Sequence, residues 1–178
     1  MTHDGSAGRL FLAALPDADT AARIYRLASV LKRAHNFEAE LIEPQRLHIS
    51  LFFLGRLPIH AARIACEAAA ELRVPPFDVL FDRSVSFRGR PGNRPFVLLG
   101  DDGLDGLRSF RQTLAAAMAR NGLKRLAKNE FVPHITLSYV ERTVEEHPIE
   151  PICWTVKELV LIHSMYGHVH LARWRLRV

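Results

Sequence analysis

Hydrophobic and polar positions alternate along much of the chain with the two-residue period of β-strands. Helical spacing of apolar residues interrupts this pattern three times, once after Pro16, once after Pro58 and once after the Asp101-Asp102 pair. The order of these elements predicts an α+β fold. The predicted helices cover about 17–34, 58–73 and 101–121, and the predicted strands cover about 9–15, 39–42, 46–54, 77–87, 96–99, 131–140, 154–163 and 169–177.

The order of elements repeats within the chain. A strand, a helix and a strand bearing a histidine occur in each half, and the offset from Phe11 to His48 equals that from Val97 to His134. Residue identity between the halves is slight, so the prediction rests on order and spacing. It indicates two pseudo-symmetric lobes of antiparallel sheet with outer helices.

The two histidine strands carry the same kind of motif. His48-Ile-Ser50-Leu matches His134-Ile-Thr136-Leu, and residues two apart in a strand share a face. Each imidazole is therefore expected beside a hydroxyl, with the apolar residues turned toward a core. Two histidines that titrate near neutrality can act as acid and base at a phosphodiester, and the hydroxyls can donate hydrogen bonds to its oxygens. A strained cyclic phosphate needs no metal in principle.

Composition and charge add weaker constraints. The formal net charge of +5 fits a polyanionic partner or simply a solvated basic surface. Cys66 and Cys153 lie far apart in no metal-ligand spacing, which favours a reducing cytoplasm. No apolar run has the length of a membrane span. Residues 1–8 are expected to be a loose, disordered tail, with residues 9–178 forming one bilobal domain.

Several segments resemble one known family. The segments 44–55 (PQRLHISLFFLG) and 131–137 (FVPHITL) resemble the two histidine strands of the 2H phosphoesterase superfamily, and 9–16, 94–100 and 159–164 resemble three of its other strands. Within it, the chain is most similar to the RNA 2′,3′-cyclic phosphodiesterases formerly called 2′-5′ RNA ligases. The resemblance implies a central V-shaped cleft, with no cofactor, no metal and no protein partner.

The same resemblance assigns roles. It implies that His48 donates a proton to the departing ribose oxygen and that His134 accepts one from water, which leaves a 2′-phosphate on RNA ends or cyclic nucleotides. Reverse ligation of 2′,3′-cyclic and 5′-hydroxyl RNA ends is implied as well. Ser50 replaces the usual Thr. Phe52 stands where the family often has Lys, and Tyr139 where it often has Arg.

Four further residues are candidates for substrate binding. In a regular strand Phe52 shares the face of His48, where it would stack on a base or pack in the cleft floor. Arg46 is one replacement for the missing cations, with Lys124, Arg125 and Lys128 as others. Tyr139 and Tyr166 are weaker candidates, because packing in the core or at the rim is the favoured role for their side chains.

Three other functions remain open. One is a non-catalytic RNA-binding protein that keeps the fold, and a second is a phosphodiesterase for another small cyclic nucleotide. The third is a metal-dependent phosphatase in which His168 and His170 act as ligands. No carboxylate accompanies these histidines in their segment, which disfavours the metal site.

Overall fold

A computed structural model describes residues 9–55, 59–127, 130–164 and 167–178. Its strands and helices form an α+β fold, as the sequence predicts. The strands are β1 (Arg9–Ala14), β2 (Ile49–Gly55), β3 (Phe77–Ser86), β4 (Arg94–Leu99), β5 (Ile135–Val140), β6 (His147–Val156), β7 (Glu158–Ser164) and β8 (His168–Arg175). The helices are α1 (Ala18–Ala34), α2 (Ile59–Ala70), α3 (Asp105–Arg120) and α4 (Lys124–Ala127).

The strands form one antiparallel sheet in the order β6-β3-β4-β5-β2-β1-β7-β8. The sheet consists of two four-stranded halves that meet between β5 and β2. At this junction the ladder contains a single residue pair, Ile49 with Ile135. The neighbouring ladders β1–β2 and β4–β5 each contain five pairs, so the junction is the weakest-bonded line of the sheet.

The two halves repeat the same path, and this confirms the predicted lobes. The segment β1–α1–β2 in one half corresponds to β4–α3–β5 in the other. The strand register makes Ala13 equivalent to Val97, because Ala13 pairs with Ser50 and Val97 pairs with Thr136. The equal offset in the sequence instead matches Val97 with Phe11, which lies two residues before its structural equivalent, Ala13.

Helices cover one face of the sheet and enclose the main core. Asp17 caps α1 by accepting a hydrogen bond from the backbone N–H of Thr20 at 2.9 Å, and this bond lowers the pKa of Asp17. Apolar residues of α1, α2 and α3 pack with both halves of the sheet in one cluster. The opposite face holds a small separate cluster of Phe11, Ala13, Val160 and Ile162.

Two predicted elements differ from the structure. The expected strand 154–163 is two strands: β6 ends at Val156, and β7 begins at Glu158 in the other half of the sheet. Apolar periodicity continues across Lys157 and does not reveal that the pairing partner changes. The expected strand 39–42 is reduced to one bridge between Leu41 and Ser138. None of the helices that the structure describes is both long and apolar enough to cross a membrane.

Candidate active site

The junction between the halves fixes the direction of the two histidine motifs. Ile49 and Ile135 are fully buried in the main core and pair directly across the junction. Because side chains alternate along a strand, the residues before and after each isoleucine point to the opposite face. That face is the one opposite the helices and the main core, so both motifs lie on the same face of the sheet, which is called the cleft face below.

The register then sets their mutual positions. Regular antiparallel pairing continued from the two isoleucines sets His48 opposite Thr136 and Ser50 opposite His134, although the ladder itself contains only the isoleucine pair. On this pairing the two histidines are diagonal neighbours, and the positive charge of His134 acts on His48. Ser50 and Thr136 are half-buried, and each stands two residues along the strand from its histidine. The structure therefore brings all four expected residues together.

Both imidazoles are held in the same way. Nδ1 of His48 donates to the carbonyl oxygen of Arg46 at 2.7 Å, and Nδ1 of His134 donates to the carbonyl oxygen of Val132 at 2.7 Å. A carbonyl can only accept, so the hydrogen of each neutral ring lies on Nδ1. Each Nε2 is consequently left for a ligand, as a base when neutral and as an acid when protonated.

Rings pack against both imidazoles. The ring centre of Phe11 lies 4.9 Å from that of His48, and the ring of His168 lies 5.0 Å from it at an interplanar angle of 71°. On the other side, Phe87 lies 5.1 Å from His134 at 69°. These contacts restrict ring rotation beyond what the Nδ1 hydrogen bonds achieve.

Burial lowers the pKa of His48, and the positive charges of His134 and Arg46 lower it further. The hydrogen bond to the Arg46 carbonyl acts in the opposite direction. Arg46 itself is exposed and forms no ion pair within the described part of the chain. Its guanidinium is therefore close enough to act on the site and is not neutralised by a described carboxylate.

A one-residue bulge interrupts each histidine strand at the same place. Leu12 and Ala13 are adjacent in β1 but pair with Phe52 and Ser50, so Leu51 is the extra residue in β2. In β5 the extra residue is Leu137. Each bulge reverses the alternation beyond it, so the side chain five positions after the histidine returns to the cleft face.

The bulge overturns the prediction for Phe52. Its side chain is 2% exposed and packs in the main core, with the guanidinium carbon of Arg111 3.3 Å from its ring centre. Phe52 therefore does not share the face of His48 and cannot stack on a ligand in the cleft. The residue that does reach this face is Phe53, which is 54% exposed and pairs with Phe11.

Tyr139 occupies the equivalent position in the other half. It stands five residues after His134, is 46% exposed and lies beyond the bulge at Leu137. The same burial pattern follows both histidines, with an exposed aromatic residue between buried neighbours. Tyr166 and Lys128 lie outside the described residues. The sequence contains the two adjacent phenylalanines, but nothing in its periodicity locates the bulge that chooses between them.

Each bulge carbonyl has its own hydrogen-bond donor. The Leu51 oxygen accepts from Nε of Arg111 at 2.7 Å, and the Leu137 oxygen accepts from the backbone N–H of Ile42 at 2.8 Å. Arg111 is only 6% exposed, and burial lowers its pKa to about 10. These bonds satisfy the carbonyls that the bulges release from the regular ladder.

The two C-terminal histidines do not behave as a pair of metal ligands. His168 packs against His48, whereas Nδ1 of His170 accepts a hydrogen bond from Arg173 at 2.6 Å. Within the described residues, no group of three or more His, Cys, Asp or Glu side chains could hold a metal ion. His168, like Phe53, is a site residue that the sequence does not predict, because the spacing of His168 and His170 suggests only a metal ligand.

Comparison with known proteins identifies the family of this chain. The family model of the 2′-5′ RNA ligase superfamily matches residues 15–175. The chain belongs to this superfamily. Its matched region spans both histidine motifs and both halves of the sheet, so the superfamily assignment covers the whole site.

Solved structures of similar fold extend the comparison. A structure described as a phosphoesterase is 24% identical with a TM-score of 0.76, covering 97% of this chain and 100% of the other. E. coli LigT complexed with 3′-AMP is 25% identical with a TM-score of 0.73, covering 96% and 99%. TT0787 of Thermus thermophilus is 22% identical with a TM-score of 0.72, covering 95% and 98%. No curated protein sequence matches the chain. Membership of this superfamily makes the protein an enzyme that acts on phosphodiester bonds.

Proposed function

We propose that this protein hydrolyses RNA 2′,3′-cyclic phosphate ends to 2′-phosphomonoesters without a metal, by acid–base catalysis between His48 and His134. The observation that carries the proposal is the matched pair of imidazoles on either side of the Ile49–Ile135 pair. Each fixes its Nδ1 on a backbone carbonyl and leaves Nε2 in the cleft. E. coli LigT, of similar fold, has been solved with 3′-AMP and with phosphate, which supports a nucleotide phosphate as the ligand.

The proposed step moves two protons. Water attacks phosphorus while Nε2 of His134 takes its proton, and a new P–O bond forms. The bond from phosphorus to the ribose 3′-oxygen breaks as Nε2 of His48 gives its proton to that oxygen. Ser50 and Thr136 donate hydrogen bonds to the non-bridging oxygens, which accumulate charge in the transition state. In ligation, a 5′-hydroxyl takes the place of water as the attacking group and a 2′-5′ linkage forms.

The substrate has a nucleobase on at least one side of the phosphate in this proposal. Phe53 and Tyr139 expose aromatic surface on the cleft face, one on each half of the sheet. Base stacking on such side chains is sequence-tolerant, because every base offers a π face. Tyr139 thus contributes stacking where the family often has a charged Arg, and Arg46 contributes the positive charge near His48.

The test compares single variants on a defined panel of substrates. His48→Asn and His134→Asn should each reduce kcat by roughly 100-fold or more on 2′,3′-cyclic mononucleotides and cyclic-ended oligonucleotides. His163→Asn, on β7 outside the site, is the matched control and should retain activity. EDTA should leave the wild-type rate unchanged, and the product should be the 2′-phosphate.

The alternatives give different results in the same assay. A non-catalytic RNA-binding protein would bind cyclic-ended RNA with strong salt dependence and turn none of it over. Turnover of cyclic mononucleotides or of ADP-ribose cyclic phosphate, with RNA ends left intact, would assign a different small substrate. Retention of full activity by both histidine variants would refute the two-histidine mechanism.

A further inference from the structure

A third histidine stands beside the proposed acid. His168 opens β8, and its ring centre lies 5.0 Å from that of His48 and 5.5 Å from that of Phe11. Its plane is roughly perpendicular to both rings, at 71° and 72°. Phe11 and His48 also contact each other, so the three rings form one compact cluster in the cleft. This cluster places a second imidazole directly beside that of His48.

The electrostatic surroundings of His168 keep it neutral. Burial lowers its pKa to about 4, and the positive charges of His48, Arg46 and His170 act in the same direction. His48 and Arg46 face it from the segment that leads into β2, His170 lies on its own strand, and β1 contributes the apolar ring of Phe11. No carboxylate is among the described groups that shift it. At neutral pH, His168 therefore carries one N–H donor and one lone pair.

The polar edge of this ring is not used within the described part of the chain. Among the described residues, the His168 ring packs against Phe11 and His48, whereas the neighbouring His170 accepts a hydrogen bond from Arg173. No described residue accepts a hydrogen bond from its ring N–H, so the described part of the chain leaves this donor available to a ligand on the cleft face.

We propose that His168 is a phosphate-binding residue of this site, which donates its ring N–H to a non-bridging oxygen of the ester held between His48 and His134. This inference rests on the proposed function and deepens it. A neutral donor suits the position because it binds an anionic oxygen without adding charge beside His48. A lysine there would bind phosphate too, but it would make the proton on His48 harder to keep.

The experiment uses three substitutions and two ligands. His168→Phe keeps the ring contacts and removes the N–H, His168→Gln restores a neutral donor, and His168→Lys adds a charge. Inorganic phosphate and 2′-AMP are titrated at pH 7 by NMR and as inhibitors of turnover. Unchanged circular dichroism and melting temperature establish that each variant is folded.

We expect His168→Phe to weaken binding of both ligands and raise KM by roughly 10-fold or more. His168→Gln should recover most of this loss. His168→Lys should bind phosphate while shifting the imidazole titration of His48 to lower pH. If the ring has only a structural role, His168→Phe will bind both ligands like the wild type and His168→Gln will bind them more weakly. That order of affinities overturns the inference.

The binding arm separates this inference from the proposed reaction. If the wild type binds phosphate through His168 but hydrolyses no cyclic phosphate, the proposed reaction fails and the phosphate site stands. If the wild type hydrolyses cyclic phosphates and His168→Phe binds and turns over normally, only the role of His168 fails.

Discussion

Phe52 and Phe53 are adjacent in sequence, and the bulge at Leu51 places Phe52 in the core and Phe53 on the cleft face. Phe52 is 2% exposed and lies in the main core, whereas Phe53 is 54% exposed on the cleft face. Substituting each by alanine therefore separates folding from substrate binding within one strand. Without the bulge, the two positions would exchange faces and the two variants would exchange phenotypes.

The expected magnitudes follow from these environments. Phe52→Ala removes a buried ring that also lies under the Arg111 guanidinium, and should lower the free energy of unfolding by about 3–5 kcal/mol. Phe53→Ala should change the free energy of unfolding by less than about 0.5 kcal/mol. Loss of one stacked base costs about 1–3 kcal/mol of binding, so KM for a cyclic nucleotide should rise roughly 5- to 150-fold.

Urea denaturation measures the first quantity, and steady-state kinetics measures the second. Ribose 2′,3′-cyclic phosphate, which has no base, is the control substrate, and its KM should not respond to Phe53→Ala. Phe52→Leu provides a folded core variant in case the alanine variant does not accumulate. A stable Phe52→Ala protein together with an unfolded Phe53→Ala protein would refute the assigned register.

Three other predictions test the surroundings of the site. Tyr139→Arg should strengthen binding of cyclic-ended RNA and steepen its salt dependence, measured by fluorescence anisotropy at several salt concentrations, with Tyr139→Phe as the neutral control. Arg111→Met leaves the Leu51 carbonyl without its donor and should destabilise the fold by about 1–3 kcal/mol in urea, whereas the exposed Arg63→Met should cost under about 1 kcal/mol. Arg46→Gln removes a positive charge that lowers the pKa of His48, so NMR should show this imidazole titrating at higher pH, and an unchanged titration would place Arg46 too far away to matter.

The order of elements and the two histidine motifs could be predicted because they depend on local pattern. Alternation of apolar residues around His48 and His134 identifies the strands, and the repeated motif indicates that they meet. The structure adds that they meet through one residue pair, Ile49 with Ile135. Nothing in the sequence gives that pairing directly.

The features that could not be predicted depend on contacts between distant segments. Regular alternation places Phe52 on the wrong face because a bulge shifts the alternation without changing composition. The missed boundary at Lys157 has the same origin, since β6 and β7 are continuous in hydrophobic pattern and differ only in their partners. The sequence does not predict that His168 lies beside His48, because the two residues are 120 positions apart and meet only through the path of β8 in the fold.

The Ile49–Ile135 pair has a consequence for how this architecture can adapt. The two halves of the sheet share little backbone bonding at that point, so the gap between the imidazoles is set mainly by the bulk of aliphatic groups beneath them. Exchanging isoleucine for valine at either position would alter the packing beneath that gap without replacing any polar residue on the cleft face. The spacing of the two imidazoles therefore depends on side chains that lie on the opposite face of the sheet from them.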